Sequence, residues 1–228
     1  MRTIAIIPAG GKGIRGGIAA PKQYLKFNGK ELIVYTLDIF QQNEMIDEII
    51  ISAEGNYINL LNDLKEKYNL SKISKVVEGG NTRQYSVYNA LKSLTAAADN
   101  ELVAVHDAAR PLLPQEVLID AVQTAKQKGN ALVCIKAKDT LITGNEVVES
   151  YLDRDEVYYV QTPQIFPHSI LMKAMKNAYE NNFVGTDESM LVRQIGEKVN
   201  IVEGSVYNFK VTTADDIKMF ERLISTSS

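Results

Sequence analysis

The stretch Thr3–Gly17, "TIAIIPAGGKGIRGG", decides the fold. It begins with an apolar, β-branched run that is typical of a buried strand, and it continues into a glycine-rich turn. In parallel α/β sheets, ligands gather where the first strand ends. The backbone N–H groups of a glycine turn can approach phosphate oxygens closely, and Lys12, Arg15 and Lys22 bring positive charge to the same segment. We therefore expect a phosphate-binding loop after the first strand.

Two common nucleotide motifs do not explain this loop. Gly11 to Gly16 matches G-x-G-x-x-G, but Gly17 and Pro21 follow so closely that no long helix can start there. The first acid after the second predicted strand, Glu54, also lies too far along for a dinucleotide site. The P-loop motif is absent. An NAD-dependent oxidoreductase is therefore the weaker hypothesis.

Further along, short apolar runs alternate with amphipathic helical patterns. This alternation predicts an α/β fold in which a mostly parallel sheet is flanked by helices. Strands are predicted at "TIAII", "DEIIISA", "KVVEGG", "ELVAVHDAARP", "NALVCIKA" and "VNIVEG". Helices are predicted over Glu31–Asn43, Asn56–Leu70, Arg83–Ala97 and Pro114–Gly129, then from "HSILMKAMKNAYENN", "TDESMLVRQIG" and "TADDIKMFERLI". With no repeat or linker, we expect one domain over residues 1–228.

The pattern changes between Lys138 and Val160, where apolar and polar residues alternate around Thr143, Gly144 and Asn145. This predicts a β-hairpin that protrudes as an arm. A hairpin of this length cannot bury both faces in one small domain. It either folds over the active site or contacts a second subunit, and we favour the second interpretation.

Composition excludes several classes of function. The net charge of −3 and pI near 5.5 argue against binding nucleic acid or anionic membranes. The lone Cys134, in an apolar run, predicts a buried thiol, and one cysteine with two histidines is too few for a zinc cluster. No apolar run approaches the ~20 residues of a membrane span, and no signal peptide is visible, so we expect a cytoplasmic protein.

A second group of polar residues follows another predicted central strand, in "VHDAARP". Asp107 and Arg110 either tie down the loop or bind a ligand, and the alanines between them leave room for a ligand. We expect His106 to be structural, because no serine or cysteine nucleophile accompanies it.

Six motifs occur in one order along the chain: "PAGGKGIRGG…PKQYL", "GGNTRQYSVYNAL", "VHDAARP", "DR…YVQTPQIF", "TDE" and "NFKVTT". From Ile4 to Ile217 the chain resembles the 2-C-methyl-D-erythritol 4-phosphate cytidylyltransferases of the non-mevalonate isoprenoid pathway. The resemblance implies a Rossmann-like nucleotidyltransferase fold and a homodimer held partly by swapped hairpin arms. It also implies a reaction of CTP with methylerythritol phosphate, with Mg²⁺ bound mainly through the CTP phosphates, and whether Asp107 contacts the metal stays open.

The resemblance also implies roles for individual residues. The nucleotide would be bound by Ala9, Gly10, Gly11, Gly13, Gly80, Asn81 and Ser86. The transition state would be stabilised by Arg15 and Lys22, and the acceptor phosphate would be held by Arg154 and Lys210. Thr140 would also hold that phosphate, with Thr140 and Arg154 supplied by the partner's arm, and the acceptor hydroxyls would be bound by Asp107, Arg110 and Thr186.

Two alternatives stay open. Pro8-Ala9-Gly10-Gly11 is closer to the related ribitol-5-phosphate cytidylyltransferases, whereas "VHDAARP", Ser86 and "TDE" favour methylerythritol phosphate. A nucleotide sensor without turnover is the other alternative, although it would not need cations for an acceptor.

An attacking phosphate monoester is largely dianionic at neutral pH and needs no general base. The chemistry therefore depends on cations that let two anions approach each other.

Overall fold

The computed structural model describes residues 1–11, 21–94 and 101–225, and its centre is a seven-stranded sheet. In chain order the strands are β1 (Thr3–Pro8), β2 (Lys26–Phe27), β3 (Lys30–Glu31), β4 (Glu48–Ala53), β5 (Ile73–Glu78), β6 (Leu102–Val105), β7 (Ala131–Lys136), β8 (Leu141–Gly144), β9 (Val148–Leu152), β10 (Tyr158–Pro167) and β11 (Ile201–Glu203). The helices are α1 (Leu32–Gln42), α2 (Ile58–Lys67), α3 (Arg83–Ser93), α4 (Gln115–Lys128), α5 (His168–Glu180), α6 (Glu188–Gln194) and α7 (Ala214–Ser225).

The strand order across the main sheet is β11-β7-β10-β6-β1-β4-β5. Strands β5, β4, β1 and β6 run parallel, β10 is antiparallel to both of its neighbours, and β11 is parallel to β7. The predicted α/β class with a mostly parallel sheet is confirmed. Because β4 lies on one side of β1 and β6 on the other, the chain changes direction there and opens a crevice at the carboxyl ends of β1 and β6.

Helices cover both faces of the sheet, and the side chains of β1 show why. Successive side chains of a strand point to opposite faces. Ala5 and Ile7 pack in one buried cluster and Ile4 and Ile6 in another. The first cluster receives apolar residues of α1, α2 and α4, and the second those of α3, α5 and α6. A strand buried on both faces needs a continuous apolar run, which is what "TIAII" supplies.

The predicted elements occur with small shifts at their ends. Helix α4 ends where predicted, since Gly129 adopts the left-handed conformation at φ 91°. Helix α3 is described only as far as Ser93, and the last predicted positions, 95–97, lie outside the described residues. Cys134 is buried in β7, and burial raises its pKa to about 11. No helix within the described ranges is long and apolar enough to cross a membrane.

The predicted hairpin consists of β8 and β9, which pair from Leu141 opposite Leu152 to Gly144 opposite Val148. Its residues are mostly exposed. The end of the predicted segment belongs elsewhere, because Tyr158 begins β10 and pairs with Lys136 of the main sheet.

Candidate functional site

The first part of the site is the turn that follows β1. Ala9 N–H donates to Ser52 O at 2.7 Å, which keeps the turn aligned with the end of β4. The buried Gln23 amide donates to Ala9 O at 2.6 Å and to Gly11 O at 3.0 Å, and Tyr24 OH donates to Ala9 O at 3.2 Å. The residues just after the loop therefore fix the carbonyl groups at its start.

The cations predicted for this loop are only partly described. Lys12, Gly13 and Arg15 lie outside the described residues. Lys22 is half-buried and begins a short 3-10 turn, Lys22–Tyr24. Because the next residue, Gln23, is bonded to the glycine turn, Lys22 is held near the start of the predicted phosphate loop.

The second part is the glycine turn after β5. Ser86 Oγ accepts a hydrogen bond from Gly80 N–H at 3.1 Å. A Cβ atom at Gly80 would lie 2.2 Å from Tyr85 Cβ, so only glycine fits, and one at Gly10 would lie 3.4 Å from Ser86 Oγ. Ser86 therefore stands between the two glycine turns. It is 2% exposed, so its described contacts support the turn, whereas Asn81 is exposed beside it.

The third part lies just beyond β6, where Asp107 contacts three cationic side chains. Its Oδ1 lies 3.0 Å from Arg83 Nε, and its Oδ2 lies 3.4 Å from Arg110 Nε and 3.0 Å from Lys210 Nζ. Arg110 Nη1 also donates to Asn208 O at 2.6 Å. Arg110 thus ties down the loop, as one of the two interpretations expected, and ligand binding by this pair stays a prediction.

The charge of Asp107 follows from these contacts. Burial by itself raises the pKa of this carboxyl, but the charges of Arg83, Lys210 and Arg110 together lower it well below its usual range. Asp107 is therefore an anion at neutral pH. Burial works against the charge of Arg110 as well and lowers its pKa, although Asp107 opposes that effect.

Arg83 is the site residue that sequence reasoning missed. Its Nη1 and Nη2 donate to Glu188 Oε1 and Oε2 at 2.6 and 3.0 Å, while its Nε donates to Asp107. Burial disfavours the charge of Arg83, but Glu188 and Asp107 outweigh it and raise its pKa. Arg83 stands inside the motif "GGNTRQYSVYNAL", and that position was the only signal in the sequence.

His106 supports the same loop from below. It is fully buried, with Nδ1 3.0 Å from Thr162 Oγ1 and Nε2 3.2 Å from Arg110 O. Arg110 O can only accept, so the imidazole donates from Nε2, and Nδ1 then accepts from the Thr162 hydroxyl, whose oxygen accepts from Asp107 N–H. This assignment requires a neutral ring, and burial lowers the pKa of His106 to about 4. His106 is structural, as predicted.

Comparison with known proteins decides the family. The profile of the IspD family, 2-C-methyl-D-erythritol 4-phosphate cytidylyltransferase, matches residues 3–226. The chain belongs to this family. It is 36% identical over 227 residues to the enzyme of that name from Clostridium acetobutylicum, covering 98% of both chains. It is 37% identical over 222 residues to the one from Clostridium botulinum, covering 96% of both.

Solved structures of the family have the same fold. The crystal structure of the cytidylyltransferase from Francisella tularensis superposes with a TM-score of 0.83 at 34% identity, covering 97% of this chain and 99% of that one. The one from Thermus thermophilus superposes with a TM-score of 0.81 at 28% identity, covering 99% and 100%. The resemblance that the six motifs indicated is therefore confirmed.

The residues expected at the acceptor site of this family fall into three places. Asp107, Arg110 and Lys210 meet in one cluster. Thr186 is exposed just before α6, whose N-cap is Asp187. Thr140 and Arg154 lie in the hairpin, where Arg154 Nη1 is 3.5 Å from Lys138 O. Among the described residues the cations around Asp107 are Arg83, Arg110 and Lys210. Arg154 of the chain's own hairpin is not one of them.

The described residues do not fit a protein-built metal site. In the described ranges, no three His, Cys, Asp or Glu side chains are grouped to hold a metal ion. Both oxygens of Asp107 face cations and both oxygens of Glu188 face Arg83, and such an arrangement repels a divalent cation.

Proposed function

We propose that the chain transfers a cytidylyl group from CTP to 2-C-methyl-D-erythritol 4-phosphate. The products are 4-CDP-2-C-methyl-D-erythritol and pyrophosphate, and the reaction belongs to non-mevalonate isoprenoid synthesis. The observation that supports this most strongly is the match to the cytidylyltransferase family over residues 3–226. The relatives bear the methylerythritol phosphate name, so the ribitol phosphate alternative is not favoured.

We assign the nucleotide to the two glycine turns that meet at Ser86. These turns follow the carboxyl ends of β1 and β5, and the edge of the sheet formed by such strand ends is where ligands bind in folds of this class. Asn81 is exposed beside the obligatory Gly80 and is placed to contact the base or ribose. In this assignment Gly13, Arg15 and Lys22 surround the triphosphate.

The acceptor is assigned to the Asp107 cluster. Asp107 and Arg110 would bind the hydroxyl groups, together with Thr186. Two carboxylates and three cations leave this cluster with one net positive charge, which favours an anionic acceptor. Lys210 is the most exposed of the three cations, at 39%, so it is best placed to turn from Asp107 to the incoming phosphate.

The reaction then needs charge and positioning. A non-bridging oxygen of the acceptor phosphate attacks the α-phosphorus of CTP, a new O–P bond forms, and the bond to the β-phosphate breaks to release pyrophosphate. Both reactants are anions, so cations on each side lower the barrier. Arg15 and Lys22 do this on the nucleotide side, and Arg154 and Lys210 on the acceptor side.

Magnesium enters this proposal as part of the nucleotide. Mg²⁺ keeps several waters and binds readily to nucleotide phosphates, where it offsets charge. Since Asp107 and Glu188 are paired with arginine and lysine side chains, we propose that the ion arrives with CTP.

We propose a homodimer in which the hairpin of one subunit reaches the acceptor site of the other. The support is an exposed apolar surface on the hairpin, where Val147 is 74%, Tyr151 72% and Val148 52% exposed. Light scattering on the purified protein should give twice the 25.3 kDa chain mass. A fully active monomer would contradict the shared site. The predicted cytoplasmic location stays a prediction.

Pyrophosphate release tests the function. The protein is incubated with Mg²⁺, CTP and methylerythritol phosphate, with ribitol 5-phosphate, or with no acceptor. We expect release that depends on methylerythritol phosphate. Release with ribitol 5-phosphate alone would favour the alternative, and equal release without any acceptor would indicate hydrolysis of CTP instead of cytidylyl transfer. No release with either acceptor would overturn the enzyme assignment.

A further inference from the structure

We infer that Arg83, locked in place by Glu188, is a positioning residue that fixes the carboxylate of Asp107 for the acceptor. The inference rests on the proposed function, in which Asp107 binds the acceptor hydroxyls. It adds two residues, Arg83 and Glu188, to a site that the motifs had assigned without them.

The guanidinium of Arg83 uses all three of its nitrogens. Nε bonds Oδ1 of Asp107 at 3.0 Å, and Nη1 and Nη2 form a two-point contact with Glu188 at 2.6 and 3.0 Å. A planar guanidinium held at three points cannot rotate without breaking a charged hydrogen bond. Glu188 is 1% exposed, so it provides a fixed support in the protein interior.

Asp107 divides its contacts in a way that gives Arg83 a distinct role. Oδ2 is shared by Arg110 and Lys210, whereas Oδ1 contacts Arg83. When Lys210 turns to the acceptor phosphate, Arg83 still holds the carboxylate and keeps its orientation. Oδ2 then becomes available to a hydroxyl group.

The stability of helix α3 does not explain why an arginine stands at position 83. It is the first residue of α3, where a cation opposes the helix dipole, and the N-cap is provided by Thr82. Glu188 opens α6, where an acid is favourable, but a solvent-facing acid would satisfy that preference equally well. Both side chains instead point inward to each other.

The nucleotide turn does not depend on this pair. Gly80 is bonded to Ser86, and Thr82 caps α3 through its own hydroxyl oxygen, which accepts from Tyr85 N–H at 3.2 Å. Removal of the Arg83 side chain should therefore affect the acceptor and leave CTP nearly unchanged. That contrast separates a positioning role from a merely structural one.

The test uses steady-state pyrophosphate release by the full-length wild type, Arg83→Gln, Arg83→Lys and Glu188→Gln, with Arg193→Gln as control. Arg193 is an exposed arginine of α6 whose Nη1 bonds the backbone of Glu197. We expect Arg83→Gln to raise KM for methylerythritol phosphate about tenfold to hundredfold, as for loss of a hydrogen bond between charged groups, with KM for CTP within threefold. Arg83→Lys, which cannot contact both carboxylates with one planar fork, should raise the same KM by less.

The outcomes distinguish this inference from the proposed function. Wild-type release with methylerythritol phosphate establishes the function, and if Arg83→Gln then shows an unchanged KM for that acceptor, the positioning role is wrong and the function stands. Equal increases in both KM values, or an effect of Arg193→Gln as large, would also overturn it. If Arg83→Gln does not fold, Glu188→Gln decides, since it keeps Arg83 and should raise only the acceptor KM.

Discussion

Replacing Asp107 by asparagine tests whether the negative charge of Asp107 offsets the three cations around it. Asparagine keeps the shape of the side chain but removes the charge that faces Arg83, Arg110 and Lys210. These three cations then lie close together with Glu188 as the counter-ion that remains among their described contacts. The amide also offers N–H donors where Asp107 accepted hydrogen bonds, so part of the network faces donor against donor.

The size of the effect follows from burial. Removing one partner of a buried ion pair costs about 3–5 kcal/mol of folding free energy. The Arg83, Arg110 and Lys210 side chains are 28%, 11% and 39% exposed, so water screens part of the repulsion and the lower end applies, about 3 kcal/mol. For a domain of this size that corresponds to a Tm lower by roughly 6–12 °C.

Differential scanning calorimetry on Asp107→Asn provides the measurement, with Asp215→Asn as the matched control. Asp215 pairs with Lys218 at 3.1 Å, but their side chains are 90% and 67% exposed. An exposed pair contributes about 0–1 kcal/mol, so the control should lose at most about 2–4 °C. If both variants unfold at the same temperature, the Asp107 cluster does not hold the charge balance described here.

Three further predictions concern His106, Gly80 and Lys22. Because His106 has a pKa near 4 when folded and 6.5 ordinarily, the unfolded chain binds more protons in this window, so stability should fall by about 3 kcal/mol as the pH drops from 6.5 to 4. Urea unfolding over that range should lose this slope in His106→Asn, and an unchanged slope would exclude His106 as its source. Gly80→Ala places a Cβ 2.2 Å from Tyr85 Cβ and should weaken CTP binding by about 1–3 kcal/mol in calorimetry, whereas Gly55→Ala, with 3.5 Å of space to its nearest neighbour, should bind as the wild type does. Lys22→Ala should lower kcat about 10²–10³-fold in the pyrophosphate assay, and kcat within a few-fold of wild type would remove Lys22 from the mechanism.

The sheet could be predicted because its central strands are buried on both faces. "TIAII" and "DEIIISA" became β1 and β4 within one residue at each end, since the central residues of a strand covered on both faces form a continuous apolar run. The residue at which the hairpin ends was harder to predict. Alternating residues continue through Tyr158 to Val160, and alternation alone does not say whether a strand pairs within the hairpin or with β7.

The sequence predicts the loops that form the site, but not the side chains that hold those loops and Asp107 in position. Glycine turns and "VHDAARP" stand at strand ends, which a parallel sheet brings to one edge. The contact between Arg83 and Glu188 joins positions 105 apart in the chain, and Glu188 in "TDE" opens a helix, where an acid is favourable without any such contact. Likewise, Gln23 gave no signal that its amide would hold the carbonyl groups of Ala9 and Gly11. Such contacts depend on how distant elements pack.

The destination of each phosphorus atom of CTP tests the central claim most directly. The protein is incubated with Mg²⁺, methylerythritol phosphate and CTP labelled with ³²P at either the α or the γ position, and the products are separated by chromatography. Cytidylyl transfer predicts that the α label appears in the CDP-alcohol and the γ label in pyrophosphate. A γ label in the phosphorylated alcohol, or an α label that stays in CTP, would contradict it.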